Sequence, residues 1–424
     1  MKFIHTADLH LDSPLRGLAR YPGAPLQEAR ACSRRALENL VHLAIADAVD
    51  FVLVAGDVYD GDWRDYQTGL FFAAQMSRLR EAGIPVFAVS GNHDARSVIT
   101  RTLRLPDNVR HFSADGPETA LLEDVGVAVH GHGYAERWVQ VDLSAGYPAR
   151  RAGYFNVGLL HTSASTDGPH ETYAPCSVAG LAARGYDYWA LGHVHQRQVL
   201  HRDPWVVFPG CLQGRHVQEA GPKGCTVVDV EDREVTSVRH VDLDVVRWAW
   251  CVVPAGDAET PEAAVDATRA ALARELDAAG GRLLAVRVEL TGASAAHEAL
   301  WADAARWESE IRAAATDLDP DGIWVERVLL RTSSRADLDA AREQDGPLGA
   351  LLASIARYRA DPERLLAELG GSREIGEIRG LAGRLAHDGE LAGELSLADP
   401  GRLGWLLDEV QGLLLTRLQG VAGP

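Results

Sequence analysis

Apolar positions recur with two alternating periods over residues 1–243. Short β-rich apolar runs at 2–7, 51–56, 84–89, 125–133, 154–161 and 186–191 predict strands. Between the first three, residues 27–47 and 64–82 carry helical spacing. In the former, Ala31, Leu37, Leu40, Val41 and residues 43–45 line one apolar face; Gly83 ends the latter. Residues 16–25, with Gly17, Pro22, Gly23 and Pro25, predict a loop, and 178–184 a short helix. Strands alternating with helices across short glycine-bearing connections predict an α/β domain. Strand-like runs at 205–208, 224–230 and 235–243 follow, as expected for a second sheet.

The texture changes near residue 244. Residues 245–253, 283–290 and 323–330 read as strands, and 260–278 and 295–316 as helices. Pro261 sits in the first turn of the 260–278 helix, and Gly280 and Gly281 follow its end. The order β-α-β-α-β predicts a small α/β domain over 244–332. Its Trp301, Trp307 and Trp324 are expected to pack on that sheet rather than stack on bases. Residues 333–347 are polar and read as a linker; 348–424 read as helical. Within 401–418, Leu403, Leu406, Leu407, Val410, Leu413, Leu414 and Leu418 make an amphipathic face that can dock on the body or on a partner.

At 424 residues the chain has room for two or three domains. A hydrophobic content of 46% and a charged content of 24% are those of an ordinary globular protein. No apolar run is long enough to cross a bilayer, and the chain opens directly into a strand. Five cysteines without a C-x-x-C pair predict reduced, mostly buried thiols and a cytoplasmic location. The net charge of −18 excludes a surface coated with Lys and Arg for gripping a long duplex. A substrate rich in phosphate then leaves two arrangements. Metal ions supply the local positive charge and a partner the grip, or the substrate is a small phosphoester.

Five polar stretches carry the chemistry: Asp8-Leu9-His10, Gly56-Asp57, Gly91-Asn92-His93-Asp94, His161 and Gly192-His193-Val194-His195. Each follows an apolar strand-like run, and open α/β sheets build their sites at the C-terminal ends of strands. Asp and His together suit Mn²⁺, Fe²⁺ or Zn²⁺ rather than all-oxygen Ca²⁺. Two carboxylates, an amide and four histidines exceed one tetrahedral ion. They match two ions sharing a carboxylate, a pair that clamps the attacking and leaving oxygens of a phosphoryl displacement. His130 and His132 lie at a strand end and are left out as structural. Arg34 and Arg35 are expected on a solvated helix face, as are Arg96, Arg101 and Arg104. The polar loop 162–172 is a candidate substrate rim.

The ordered set D-x-H, G-D, G-N-H-D, H, G-H-x-H resembles the calcineurin-like metallophosphoesterases. That resemblance implies a four-layer α-β-β-α sandwich holding two divalent ions, Mn²⁺ first, with Mg²⁺, Fe²⁺ or Zn²⁺ as alternatives. By motif, Asp8, His10, Asp57 and His195 would hold one ion, and Asp57, Asn92, His161 and His193 the other, with Asp57 bridging. His93 would face the scissile phosphate as acid or stabiliser, and Asp94 would orient it. Some relatives carry a His three residues after the bridging Asp, where it buttresses the G-N-H histidine; this chain has Asp60, an acceptor instead.

The opening Met1-Lys-Phe-Ile-His-Thr-Ala-Asp-Leu-His-Leu-Asp-Ser-Pro-Leu is similar to that of the SbcD-type DNA-repair exonucleases, closest to their YhaO-like group. So is Phe208-Pro-Gly-Cys-Leu-Gln-Gly-Arg-His with Glu219 and Gly221-Pro-Lys-Gly after it, which nominates Arg215 and His216 as phosphate contacts. The resemblance implies a nuclease domain at 1–243, a capping domain at 244–332 that shapes the DNA path, and a linker at 333–347. It further implies that 348–424 dock on a coiled-coil SMC-like ATPase, with homodimerisation. The function expected is a two-metal DNA phosphodiesterase, an exonuclease also able to act as a single-strand endonuclease. Two alternatives stand: a small-molecule or cyclic-nucleotide phosphodiesterase of the same fold, and an inactive scaffold subunit.

Overall fold

A computed structural model describes residues 1–13, 26–60, 66–95, 104–164, 174–335, 346–361, 364–365 and 407. The loop expected at 16–25, Arg96 and Arg101, most of the 162–172 rim, most of the linker and the helices expected beyond 365 lie outside these residues.

Three apolar runs become the parallel strands β1 (Lys2–Thr6), β2 (Phe51–Ala55) and β3 (Val86–Val89). Their side chains alternate between two buried faces. Val52 and Val54 pack under Leu37, Leu40 and Val41 of α1 (Leu26–Ala46) and Phe72, Met76 and Leu79 of α2 (Tyr66–Glu81). Phe51, Leu53 and Ala55 face the other way, against Val157, Leu159 and Tyr188. The latter belong to β7 (Phe155–His161) and β8 (Tyr188–Gly192), which run parallel to each other and to β6 (Val127–His132). On the far side Trp189 and Leu191 pack on Leu181 of α3 (Val178–Ala183). The order helix, sheet, sheet, helix is the expected four-layer sandwich. Each large apolar side chain buried between layers contributes roughly 1.5–3 kcal/mol.

Both sheets have six strands. The second is bounded by β5 (Glu118–Leu122) at one edge, with β10 (Trp205–Phe208) and β9 (Gln198–Arg202) at the other. The first continues past β3 into β4 (Val109–His111). On its other side it departs from expectation. β11 (Gly224–Glu231) and β12 (Glu234–Asp242) join this first sheet, and only β10 joins the second. β11 pairs antiparallel with β1, and the Met1 ammonium donates to the Val230 carbonyl at 2.7 Å. β1 would otherwise be a bare edge, so β11 satisfies its ladder. β4, β5 and β9 escape sequence reading because they are short and only partly buried, with no continuous apolar run.

A three-stranded sheet follows, ordered β13 (Val246–Pro254), β14 (Leu283–Ser294), β15 (Ile323–Ser334). α4 (Pro261–Ala279) links its first two strands. The single helix expected at 295–316 is two, α5 (His297–Ala302) and α6 (Ala304–Leu318). Asp303 leaves helical geometry, with φ of −141°, and its carboxylate accepts from the Arg306 amide. It thus caps α6 rather than continuing α5. Of the three tryptophans, Trp324 packs on the sheet as expected, and Trp301 and Trp307 contact α5. Trp324 meets Trp248 edge-on at 5.9 Å, Trp307 donates to the Ala299 carbonyl, and Trp301 lies against His297. The helix expected at 348–359 is α7 (Pro347–Ala360).

By contact density the chain forms two compact units. One holds Met1–Trp250, Glu275–Val286 and Asp321–Glu326; the other holds Cys251–Arg274, Arg287–Pro320 and the described residues from Arg327 onward. All five cysteines are free and four are buried. No described helix is long and apolar enough to cross a membrane.

His5 sits in the first unit with Nδ1 3.1 Å from the Tyr188 hydroxyl and Nε2 3.1 Å from the Leu191 carbonyl. Burial lowers its pKa to about 3, against the opposing pull of the Leu191 bond. The folded state therefore resists a proton that the unfolded chain accepts below 6.5. Stability is complete above that value and declines as pH falls towards the folded pKa. Denaturant unfolding should lose roughly 3 kcal/mol from this residue between about pH 7 and about pH 4. A His5 ring resonance that titrates near 6.5 in the folded protein would contradict this.

Candidate metal centre

The five polar stretches meet because the strand ends carrying them are laced together. The Asp8 amide donates to the Gly56 carbonyl and the His10 amide to the Asp57 carbonyl, both at 3.0 Å. The His193 amide donates to Asp8 Oδ2 at 3.0 Å, and the His93 amide to Asp57 Oδ1 at 2.9 Å. Asp8, His10 and Asp57 adopt φ of 52°, 40° and 52°, and His193 a φ of 112°. Left-handed non-glycine residues cost roughly 1–3 kcal/mol each and cluster at functional sites. Close approach also demands glycine. A Cβ on Gly192 would stand 1.9 Å from the Ala55 carbonyl oxygen, and one on Gly91 2.3 Å from Asp57 Oδ1.

Asp8, His10 and His195 offer donor atoms within 4.8 Å of one another, as do Asp8, Asp57 and His161. Asp57 Oδ2 lies between these groups, 3.4 Å from His161 Nε2 and 4.0 Å from His10 Nε2. Asn92 Oδ1 is 2.9 Å from His161 Nε2, and the His193 ring stands edge-on to His161 at 5.2 Å. The seven expected ligands are thus brought to one place.

Several contacts fit a bound cation. His161 has Nδ1 2.9 Å from the Ala55 carbonyl and Nε2 2.9 Å from Asn92 Oδ1. A neutral imidazole has one N–H, so with Nδ1 donating, Nε2 turns a lone pair on an oxygen. His10 Nε2 and His195 Nε2 face each other at 3.2 Å. His195 gives its Nδ1 to Glu219 Oε1 at 2.6 Å, which leaves Nε2 as its ligating face. Asp8 Oδ1 is buried with no hydrogen-bond partner. Converging lone pairs and an orphaned carboxylate oxygen fit a two-ion centre of mixed Asp, His and Asn donors.

The electrostatics agree. Burial, then the neighbouring Arg215, holds His10 well below the usual histidine range, so it presents a neutral imidazole. Burial likewise depresses His193 to about 3. His93 goes the other way. Burial lowers it, but the bond to Asp60 and the charges of Asp57 and Asp60 prevail and raise it. Asp60 Oδ1 lies 2.7 Å from His93 Nδ1. Burial pushes Asp60 up, yet His93, Ser13 and Arg215 outweigh it and keep the carboxyl far below its usual range.

Two expectations are corrected. Asp94 does not orient His93. Its carboxylate accepts from the Val58 and Tyr59 amides at 3.0 and 2.9 Å, pinning the Asp57 loop to the Asn92 loop. Asp60, a residue left without a firm role by sequence, is the group on the His93 ring. Arg215, expected at a phosphate, donates through its backbone amide and Nη2 to the two oxygens of Glu219 at 2.7 and 2.9 Å. His216 Nε2 lies 3.6 Å from the same carboxylate. Arg34, expected in solvent, donates through Nε to Asp12 Oδ1 at 2.8 Å. Sequence reading also missed the role of Glu219. Its only signal was its place in the run after G-H-x-H, since nothing local announces a carboxylate aimed at a histidine 24 positions earlier. His130 bonds Thr119 and Asn156, a structural role.

Comparison with known proteins gives two family matches. Residues 1–197 match calcineurin-like phosphoesterase, and residues 248–333 match the middle domain of metallophosphoesterase YhaO. Among curated proteins the chain is similar to uncharacterized metallophosphoesterase YhaO of Bacillus subtilis (strain 168), with 35% identity over 56% of this chain and 59% of the relative. It is also similar to the DNA double-strand break repair protein Mre11 of Methanopyrus kandleri, with 27% identity over 55% of this chain and 51% of the relative. The Mre11 of Sulfurisphaera tokodaii shares 24% identity over 49% of this chain and 56% of the relative. The chain thus spans little more than half the length of the curated relatives it matches. With strands, ligand loops and family match coinciding over residues 1–197, the chain carries a calcineurin-like metallophosphoesterase domain.

Proposed function

We propose that this chain is a two-metal phosphodiesterase that cuts DNA, as an exonuclease and also as a single-strand endonuclease, with Mn²⁺ as the preferred ion. The observation that carries the reading is Asp57, whose carboxylate stands between two donor groups while its other oxygen holds the loop bearing His93. Bound ions at such a centre neutralise phosphoryl charge and activate water. The chain's own part is to hold neutral imidazoles and buried carboxylates in place and to present His93 to the phosphate as acid or stabiliser. Asp60 on Nδ1 leaves Nε2 as the face of His93 that meets substrate. The DNA substrate is supported by the relatives named as double-strand break repair proteins.

A net charge of −18 argues against a broad basic DNA-binding face on this chain and supports a partner that supplies most of the grip. We assign it to a coiled-coil SMC-like ATPase bound by residues 348–424, with residues 244–332 as the cap and the chain working as a cytoplasmic homodimer. The test is digestion of end-labelled DNA beside bis-p-nitrophenyl phosphate, with Mn²⁺, Mg²⁺ or chelator. DNA shortened with Mn²⁺ and preserved by chelator is the expected result. Cleavage of the small diester with DNA untouched, even when a co-purified ATPase is added, would favour a small-molecule phosphodiesterase. No metal-dependent product from either substrate would favour a scaffold.

A further inference from the structure

In the run from Gln213 to Lys223 most of the polar side chains are engaged with neighbouring groups. Gln213 Oε1 accepts from the Val245 and Val246 amides, and its Nε2 donates to the Gly214 and Val246 carbonyls. Lys223 Nζ donates to the backbone carbonyl of His195 at 3.2 Å and to Gln196 Oε1 at 3.1 Å. Glu219 is 6% exposed and lies 2.6 Å from His195 Nδ1. Arg215 grips Glu219 through its backbone amide and Nη2 and reaches towards Asp60 Oδ2 with Nη1 at 3.9 Å. Asp60 in turn holds His93.

From these contacts we propose that Arg215, Glu219 and Lys223 form a clamp that aims His195 at the metal centre, with Arg215 serving as a positioning residue rather than a phosphate contact. Glu219 sets the ring by its Nδ1 and Lys223 sets the backbone, so the Nε2 lone pair has one direction. Arg215 stands between the carboxylate on His195 and the carboxylate on His93. One partly buried guanidinium thus fixes a ligand and the phosphate-facing histidine relative to each other. A carboxylate oriented in this way on a ligating imidazole is worth about 10–100-fold in metal affinity. The inference rests on the two-metal reading above.

The experiment is calorimetric titration of the metal-free protein with Mn²⁺, together with the visible spectrum of the Co²⁺-loaded protein. The variants are Glu219→Gln, Arg215→Lys and the charge-balanced double variant Glu219→Gln/Arg215→Gln. The wild type should bind two ions. Glu219→Gln should bind one with wild-type affinity and the other about 10–100-fold more weakly, with an altered Co²⁺ spectrum. Arg215→Lys should weaken the same ion and lower kcat with KM nearly unchanged. If Glu219→Gln does not fold because Arg215 is left unpaired, the double variant must show the same selective loss. Two ions bound with wild-type affinity and an unchanged spectrum in a folded variant would overturn the clamp. So would an Arg215→Lys protein that raises KM and leaves metal binding untouched. A wild type that fails to take up two ions would instead refute the metal centre itself, and the clamp with it.

Discussion

Replacing Asp57 by Asn leaves the protein with at least one metal ion fewer per chain than the wild type. Asp57 is 1% exposed, and its Oδ2 is within 4.0 Å of both His10 and His161. Asn keeps the shape and an oxygen but removes a full charge from the point where two cations would meet. A unit charge pair about 4 Å apart in a partly buried site is worth roughly 4 kcal/mol, or about 10³-fold in affinity. The fold should survive. Oδ1 receives the His93 amide, a bond that an asparagine carbonyl also accepts. Elemental analysis of the dialysed variant against the wild type decides the matter. An unchanged metal count in a folded variant would remove Asp57 from the bridging position.

His93→Ala should show the opposite pattern, with metal retained and turnover lost. The His93 ring stands edge-on to His10 at 5.0 Å, but its hydrogen bond to the centre runs through the backbone, where the His93 amide holds Asp57 Oδ1. Alanine preserves that bond. What disappears is the imidazole set by Asp60, which is 26% exposed and so open to substrate. Loss of a positioned acid or stabiliser costs about 10²–10⁴-fold in turnover. Hydrolysis of bis-p-nitrophenyl phosphate under saturating Mn²⁺, beside a metal count, separates this from a ligand defect. Full turnover in the variant would end the proposed role, and loss of metal would make His93 a structural support of the centre.

These two residues also mark what can be read without a structure. Their types, order and placement after apolar runs are local properties, and they were legible because a strand buried on both faces must be apolar throughout. Val52 and Leu53 look in opposite directions, yet both had to be hydrophobic. The same logic found Asp8, His10, Asn92, His161, His193 and His195, since each lies at or just beyond the C-terminal end of such a run. The break at Asp303 was less visible. Asp is compatible with a helix interior as well as a cap, and only the turn of the chain there selects the cap.

The sequence by itself determined the candidate donor set, the α/β layering and the positions of the loops that carry those residues, because apolar periodicity and motif order act within a few residues of one another. Tertiary structure decided the rest through approaches between distant segments. β11 and β12 could have extended either sheet, and the open edge of β1 chose the first. Asp94 was the expected partner of His93, but the amides of Val58 and Tyr59 claim its carboxylate, and Asp60 takes the ring. The Arg215 guanidinium lies on Glu219, which itself holds His195, a meeting no local signal announced. A buried charge goes to the partner that geometry brings within reach, and that reach is not a property of the sequence around it.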